Sequence, residues 1–273
     1  MMDFKELVAS LRCLDCSGTL RPREHGLACS GCGRAYPVVG DIPVIMEADE
    51  QTEVWQRYFR RRAEALGDSE AANSYFNLRS FRIIRDNLLK LVGRPEGLSI
   101  LDVGCGTGHF TGSLAEANRL VGVDTSLEMA AFARNKGLAA VCSTGIKLPF
   151  GPAGFSLVIA TNIIQSFPEG GPFVAEAARV LRPGGKLILC APNRRNPSMA
   201  ALRRIERRKY RHLSVYSAAQ LRRLFTAAGL RVASLLFFYF PLRTVVKIPG
   251  DARVGFLGDR LSSTVAVEGV KPG

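Results

Sequence analysis

The spacing of apolar residues changes character near residue 98. Upstream, Leu78, Phe81, Ile84, Leu88 and Leu91 recur every three or four positions, which predicts a helix from Tyr75 to Val92, stopped by Gly93 and Pro95. Downstream, unbroken apolar runs replace that stripe. Those at 98–103, 119–123, 139–142, 155–160 and 186–191 are short enough for buried strands, and helical stretches at 109–117, 126–136 and 171–181 accompany them. Thr125 and Glu128 have the spacing of a capping box for the second of these helices. Arg182-Pro183-Gly184-Gly185 stops the third. Buried strands joined by helices predict an α/β architecture, a doubly wound, mostly parallel sheet with right-handed crossovers and helices on both faces. The last third adds helices at 198–211 and 217–228, the latter opened by Ser217 and closed by Gly229. Strand-like runs at 231–240 and 264–270 bring the expected sheet to seven strands.

Residues 1–46 follow a different pattern of short, Pro-punctuated, β-rich segments around Cys13, Cys16, Cys29 and Cys32. The spacing C-x2-C-x12-C-x2-C aims four sulfurs at one tetrahedral centre, the chemistry of a closed structural Zn²⁺ site, with Gly18, Gly31 and Gly33 easing the turns. Such a module is too small to fold on its own core and depends on its metal. Its five acids and five bases balance, which suits packing or docking better than gripping a phosphate backbone. Residues 47–72, acidic and then Arg-rich, are expected to form a helical linker with an irregular connector around Gly67-Asp68-Ser69. The domain reading is therefore 1–46, a four-cysteine zinc-ribbon-like module; 47–72, the linker; and 73–273, the α/β domain. Cys105, Cys142 and Cys190 lie singly in apolar stretches and read as small buried residues.

Composition narrows the function classes. With 47% hydrophobic and 22% charged residues in 273, the chain buries a core and is not disordered. No apolar run approaches the ~20 residues of a membrane-spanning helix. The start carries Asp3 and Glu6 in place of a basic, then apolar, leader, so a cytoplasmic protein is expected. The net charge of +13 is concentrated: residues 57–94 hold nine basic and four acidic side chains, and residues 194–211 hold eight basic ones and Glu206. Such patches attract phosphates, an anionic membrane face or an acidic substrate, or are simply solvated helix faces.

The first strand of the α/β domain runs into Asp102-Val103-Gly104-Cys105-Gly106-Thr107-Gly108-His109. A glycine turn between strand and helix lets backbone N–H groups approach a ligand closely. It is not the dinucleotide pattern G-x-G-x-x-G, whose third position, counted from Gly104, falls on bulky His109, and it lacks the Gly-Lys-Ser/Thr ending of a P-loop. An acid, Asp124, follows the second strand, where a carboxylate accepts both hydroxyls of a ribose. The site reads as one for a nucleoside without a diphosphate.

These residues resemble the class I S-adenosylmethionine-dependent methyltransferases, in particular their type 11, quinone-biosynthesis-like branch. LDVGCGTG (101–108) is similar to the first motif of that family, and VGVDTS (121–126) to its ribose-binding acid. LPF (148–150) with FSLVIATNIIQSF (155–167) looks like its fourth strand, and VLRPGGKLIL (180–189) like the turn into its fifth. HLSVYSAAQLRRLFTAAGL (212–230) resembles a segment of the quinone-like branch. The likeness covers residues 73 to 271 and implies a Rossmann-like methyltransferase sheet preceded by the zinc module. It implies that Gly104, Cys105, Gly106 and Gly108 pass the methionine portion and sugar of S-adenosylmethionine. Asp102 would orient the loop or the cofactor's amino group, Asp124 would hold the ribose, and Thr125 and Thr144 would border the adenine. Asn162 would face the methyl-transfer mouth. Ser143-Thr144-Gly145 stands where the family often has an acid for the adenine amino group, and Phe155-Ser156 where it has Phe-Asp.

Methyl transfer from a sulfonium needs proximity, alignment and a dry site more than acid–base chemistry. His212 and Asn162 are the candidate catalytic residues; His109 reads as a helix start and His25 as part of the ribbon. Three roles fit. One is an enzyme on a small or lipid-like acceptor, with peripheral membrane contact through the basic segment and Leu235–Phe240, unless that run is an ordinary buried strand. Another is an RNA methyltransferase whose 194–211 segment tracks phosphates while Tyr210 and His212 stack on a base; a cysteine knot before this fold resembles a bacterial ribosomal-RNA guanine methyltransferase and the small zinc-ribbon partners of RNA and protein methyltransferases. The remaining one is a nucleoside-binding regulator without turnover.

Overall fold

The computed structural model describes residues 2–47, 50–73, 78–205, 213–239, 244–255 and 260–273. Its centre is a sheet built from β6 (Ser99–Val103), β7 (Arg119–Asp124), β8 (Ala139–Cys142), β9 (Phe155–Thr161), β10 (Leu181–Pro192), β11 (Arg231–Tyr239), β12 (Thr244–Pro249) and β13 (Thr264–Val270). The spatial order is β12-β11-β13-β10-β9-β6-β7-β8. From β10 to β8 all neighbours are parallel, while β13, β11 and β12 join antiparallel. The seven expected strands are present. The eighth, β12, is an edge strand of mostly exposed residues ending on Pro249, and an edge tolerates the exposure and the proline that hide it from an apolar-run search. Leu235 to Phe238 are buried within β11, so this part of the 235–240 run is strand core, not a membrane-facing patch; Phe240 lies outside the described residues.

Helices cover both faces. On one, α6 (Gly170–Val180) and α8 (Ala218–Ala227) bring Phe173, Ala177, Leu221 and Phe225 against Leu101, Val103 and Leu189. On the other, α4 (Leu78–Val92) packs Phe81, Ile84 and Leu88 against Ile100, Phe110 and Ile159. Ser217 caps α8 in a capping box with Gln220. The cap of α5 (Leu127–Arg134) differs from expectation: Ser126, not Thr125, accepts from Met129 N, because Ser126 has the extended backbone of a cap. The helix expected at 109–117 is reduced to the 3₁₀ turn Gly112–Leu114. Thr111 turns its hydroxyl inward onto buried Asp102, and Gly112 is a poor helix former, so the helix does not propagate.

The N-terminal segment consists of α1 (Phe4–Ser10), the antiparallel β1 (Leu20–Arg23), β2 (Gly26–Cys29) and β3 (Ala35–Tyr36), and the hairpin β4 (Val38–Val39) and β5 (Ile42–Pro43). Its core is continuous with the sheet: Leu7, Leu11, Leu27 and Ile45 share one cluster with Val141, Phe150 and Phe155. Val44 bridges Cys142 in parallel, Ile45 N donates to Cys142 O at 2.8 Å, and Leu11 bridges Phe150. The ribbon thus covers the open edge at β8, which would otherwise present unpaired backbone. Among the described residues no helix is long and apolar enough to cross a membrane.

The segment expected as a linker forms α2 (Glu50–Leu66) and the short α3 (Glu70–Asn73). α2 lies over the carboxyl ends of the parallel strands. Trp55 Nε1 donates to Ser166 O at 3.1 Å, Gln56 Nε2 donates to Thr125 O at 3.0 Å, and Arg60 pairs with Glu128 at 3.0 Å. α7 (Pro197–Ile205) carries the start of the basic segment, with Arg204 exposed. Residues 206–212, including Tyr210 and the candidate base His212, lie outside the described residues.

Candidate functional site

A cavity of about 360 Å³ opens where the parallel strands end. Ligands of open α/β sheets bind in this crevice, because loops diverge there and leave backbone groups free. Gly104, Cys105, Gly106, Asp124, Thr125, Thr144 and Asn162 all line it. Asp102 and Gly108 do not.

The glycine turn owes its shape to backbone conformations that L side chains avoid: φ is +75° at Gly104 and +53° at Gly106. A Cβ at Gly104 would press on Ile163 at 2.7 Å, and one at Gly106 would collide with Asn73 Oδ1. Asn73 grips the turn with both ends of its amide. Its Oδ1 accepts from Thr107 N and its Nδ2 donates to Thr107 Oγ1, each at 2.7 Å. Gly108, at φ +78°, serves packing: a Cβ there would stand 2.9 Å from the Ala133 backbone in α5.

Asp124 ends β7 and is buried. Its Oδ2 accepts from Gly106 N at 2.8 Å and its Oδ1 from Ser126 N at 2.9 Å. A carboxylate has about four acceptor sites, so capacity for hydroxyl donors remains. Burial raises its pKa to about 6, against the pull of the Ser126 and Gly106 amides. Asp102 sits beneath the turn, fully buried. Its Oδ2 accepts from Thr111 Oγ1 at 2.6 Å, its Oδ1 has no partner, and burial raises its pKa to about 7. Asp102 thus ties the loop's exit through Thr111 and does not line the cavity.

Asn162 closes β9 in the left-handed region, φ +52°, with its N–H donating to Cys190 O at 2.9 Å. Asn tolerates that conformation better than most residues. His109 Nδ1 meets Thr107 Oγ1 at 2.7 Å and the residue does not line the cavity; burial together with Lys136 lowers its pKa.

Further lining residues received no role from the motifs, although Gln165 and Phe167 lie within the 155–167 segment and Ser143 precedes Thr144. Trp55 and Phe59, one helical turn apart on α2, form one wall with Leu213, while Phe167 stands on the β9 side. Gln165 lines the cavity at 2% exposure, and its Oε1 has no hydrogen-bond partner. Ser143 Oγ is likewise buried in the lining without a partner. The only sequence signal for the wall was the i, i+4 pair of aromatics, including the single Trp, in a stretch that otherwise reads as a polar linker.

The residues present fit S-adenosylmethionine. A turn shaped to exclude Cβ atoms, a buried acid at the second strand's end and an unpaired hydroxyl at the third's give a methionine–nucleoside ligand its backbone approach and its polar partners. The four ribbon cysteines also converge, with all sulfurs within 4.8 Å of one another. Tetrahedral Zn–S bonds of ~2.3 Å place sulfurs about 3.8 Å apart, and the pairs Cys13–Cys32 and Cys16–Cys29 stand at 3.6 and 3.3 Å. A Cβ at Gly18 would touch Cys29 Sγ at 2.9 Å, so the turns close tightly on the sulfurs. Burial opposes ionisation of Cys13, but bonds from the Tyr36 hydroxyl and the Cys16 and Asp15 amides bring its pKa down to about 6, while, against the Arg34 amide, the neighbouring sulfurs push the Cys32 thiol up to about 12.

Comparison with known proteins agrees with this geometry. Residues 101–189 match the family model described as a methyltransferase domain. Demethylmenaquinone methyltransferase of Tropheryma whipplei (strain Twist) is 28% identical over 159 residues, covering 55% of this chain and 63% of that relative. The chain thus spans less than two thirds of the length of the curated relatives it first matches. Among solved structures, a SAM-dependent methyltransferase from Thermotoga maritima superposes with a TM-score of 0.62 at 20% identity, over 81% of this chain and all of that one. Magnesium protoporphyrin IX methyltransferase from Synechocystis PCC 6803, with bound SAH, gives 0.58 at 18% identity, over 81% of this chain and 100% of that one. The segment that matches the methyltransferase domain carries the glycine turn, Asp124 and the fourth and fifth parallel strands, and the fold around it is the Rossmann-like methyltransferase fold.

Proposed function

We propose that this protein transfers the methyl group of S-adenosylmethionine to a small, largely apolar acceptor. One observation carries the reading: a single cavity joins the glycine turn and Asp124 to a wall of Trp55, Phe59 and Phe167. When bound, S-adenosylmethionine supplies an electrophilic methyl group. The chain does the rest. Gly104 and Gly106 admit the ligand's backbone-facing edge, Asp124 seats the ribose, and Thr125, Ser143 and Thr144 border the base. The Ser143 hydroxyl gains there the partner it otherwise lacks. Asn162 stands at the mouth, and α2 with Leu213 shuts out water and holds the acceptor in line. The four cysteines hold a structural Zn²⁺ that keeps the ribbon on the sheet edge. An acceptor of the quinone type accords with the activity of the demethylmenaquinone methyltransferase relative. Among the described residues, nothing in the lining favours RNA.

The test is incubation with methyl-labelled S-adenosylmethionine and whole-cell extract. Label is expected in the lipid or small-molecule fraction. Label confined to RNA or protein would overturn the acceptor, and no incorporation with tight cofactor binding would favour a regulator.

A further inference from the structure

Two buried polar atoms in the cavity lining lack partners, and the sheet places them in different halves. Ser143 follows β8, beside Asp124 at the end of β7; Gln165 follows β9. With the order β9-β6-β7-β8, β9 is separated from β7 by two strand spacings, roughly 10 Å, and from β8 by three, roughly 14 Å. The nucleoside half is the β7–β8 side, so Ser143 is accounted for there. Gln165 is not. It lies on the opposite side of the glycine turn, in the 3₁₀ turn Ile164–Ser166, where its carbonyl accepts from Ser214 N at 2.8 Å and the next carbonyl accepts from Trp55.

Apolar Ile163, Phe167, Leu213 and Trp55 line the cavity with it, beside the polar Thr161, Asn162 and Glu169. A bare amide oxygen in such a wall costs folding free energy, so an apolar residue would be the cheaper occupant unless something restores the bond. Oε1 itself is enclosed by protein, and because the terminal torsion of Gln is broad, rotation of the amide brings it to a ligand in the cavity.

Resting on the methyltransferase reading, we propose that Gln165 is a specificity-determining residue for the acceptor: its side-chain Oε1 accepts a hydrogen bond from a hydroxyl on a flat, otherwise apolar ring held between Trp55 and Phe167. The aromatic wall supplies area without discrimination, whereas Gln165 distinguishes a hydroxylated ring from the same ring lacking the donor. Sites built to pair a substrate hydroxyl reject analogues without it, because the protein's own polar group is then left bare.

The probes are 1-naphthol and 1-methoxynaphthalene, which share ring and oxygen but not the donor hydrogen, measured by equilibrium dialysis against the full chain saturated with S-adenosylhomocysteine. The native protein is expected to bind 1-naphthol about tenfold more tightly, the scale of one neutral hydrogen bond. Gln165→Leu, with Gln165→Met as the second variant should Leu disturb folding, is expected to bring the ratio to about one without weakening 1-methoxynaphthalene. A ratio that survives both substitutions, a native ratio of one, or no binding of either probe overturns the proposal. S-adenosylhomocysteine binding, read separately by calorimetry, tells this failure from that of the methyltransferase reading: with no cofactor binding the reading itself falls.

Discussion

Gly106 donates its backbone N–H to Asp124 Oδ2 at 2.8 Å, so the acid that ends β7 fastens the glycine turn that follows β6. The acid proposed to seat the ribose and the turn proposed to pass the methionine portion are therefore one mechanical unit, pinned again by Ser126 N on Oδ1. Replacing Asp124 is expected to release the turn as well as to remove the proposed ribose contact.

Asp124→Ala is expected to weaken S-adenosylhomocysteine binding by ~1–3 kcal/mol, the range for loss of hydrogen bonds to a charged group. Calorimetry measures this directly, and unaltered affinity would remove the ribose assignment. Because burial raises the carboxyl's pKa to about 6, affinity in the native protein should also decline as pH falls through that value. Asp124→Asn should bind weakly and without that dependence.

Asp102 sets a pH dependence of stability instead. Its folded pKa of about 7 exceeds the ~3.9 of an unfolded aspartate, so the folded state holds the proton more tightly. Its contribution to stability is present in full below the unfolded value and is lost as pH rises through the folded one. Melting temperatures of the native protein and Asp102→Asn, which still accepts from Thr111, should diverge across that window. The native curve should fall relative to the variant as pH rises; parallel curves would contradict a protonated carboxyl.

Gly108 stands outside the cavity, and its substitution should act on folding. In Gly108→Ala the new Cβ meets the Ala133 backbone at 2.9 Å with φ at +78°. A loss of about 1–3 kcal/mol is expected from the strained conformation, read as a lower denaturant midpoint. A midpoint equal to that of the native protein would mean that the turn relaxes freely.

Cys29→Ser should release zinc and loosen residues 1–46, measured as metal content and protease sensitivity of the N-terminal segment. Because Val44 and Ile45 pair with the β8 edge, the melting temperature of the whole chain should fall as well. Retained metal would dismiss the four-sulfur site.

The parallel strands were legible because their burial on both faces leaves unbroken apolar runs, and the glycine turn because its spacing excludes the dinucleotide pattern at His109. β12 was not, since an edge strand answers to its neighbour rather than to the core. The 109–117 helix misled for a related reason: its apolar positions pack as expected, but the hydroxyl of Thr111 is committed to Asp102. In the site, Gly104, Gly106 and Asp124 carry local signatures of backbone geometry and charge. Trp55 and Phe59 carry only their i, i+4 spacing and Gln165 only its place in the 155–167 segment, because their role follows from where α2 and the turn after β9 come to rest.

Sequence alone was enough for the alternation of strand and helix, the four-cysteine constellation and the glycine–acid pair, all of which depend on interactions between near neighbours or on chemistry peculiar to a residue type. Only the tertiary structure decided that Thr52, Trp55 and Phe59 of α2 line the cavity, that the ribbon seals the edge of β8, that Asp102 is buried outside the lining, and that Gln165 stands on the β9 side of the cavity, away from Asp124. Those are statements about which distant surfaces meet. Long-range contact is settled by the joint packing of all the elements, and no window of neighbouring residues encodes it.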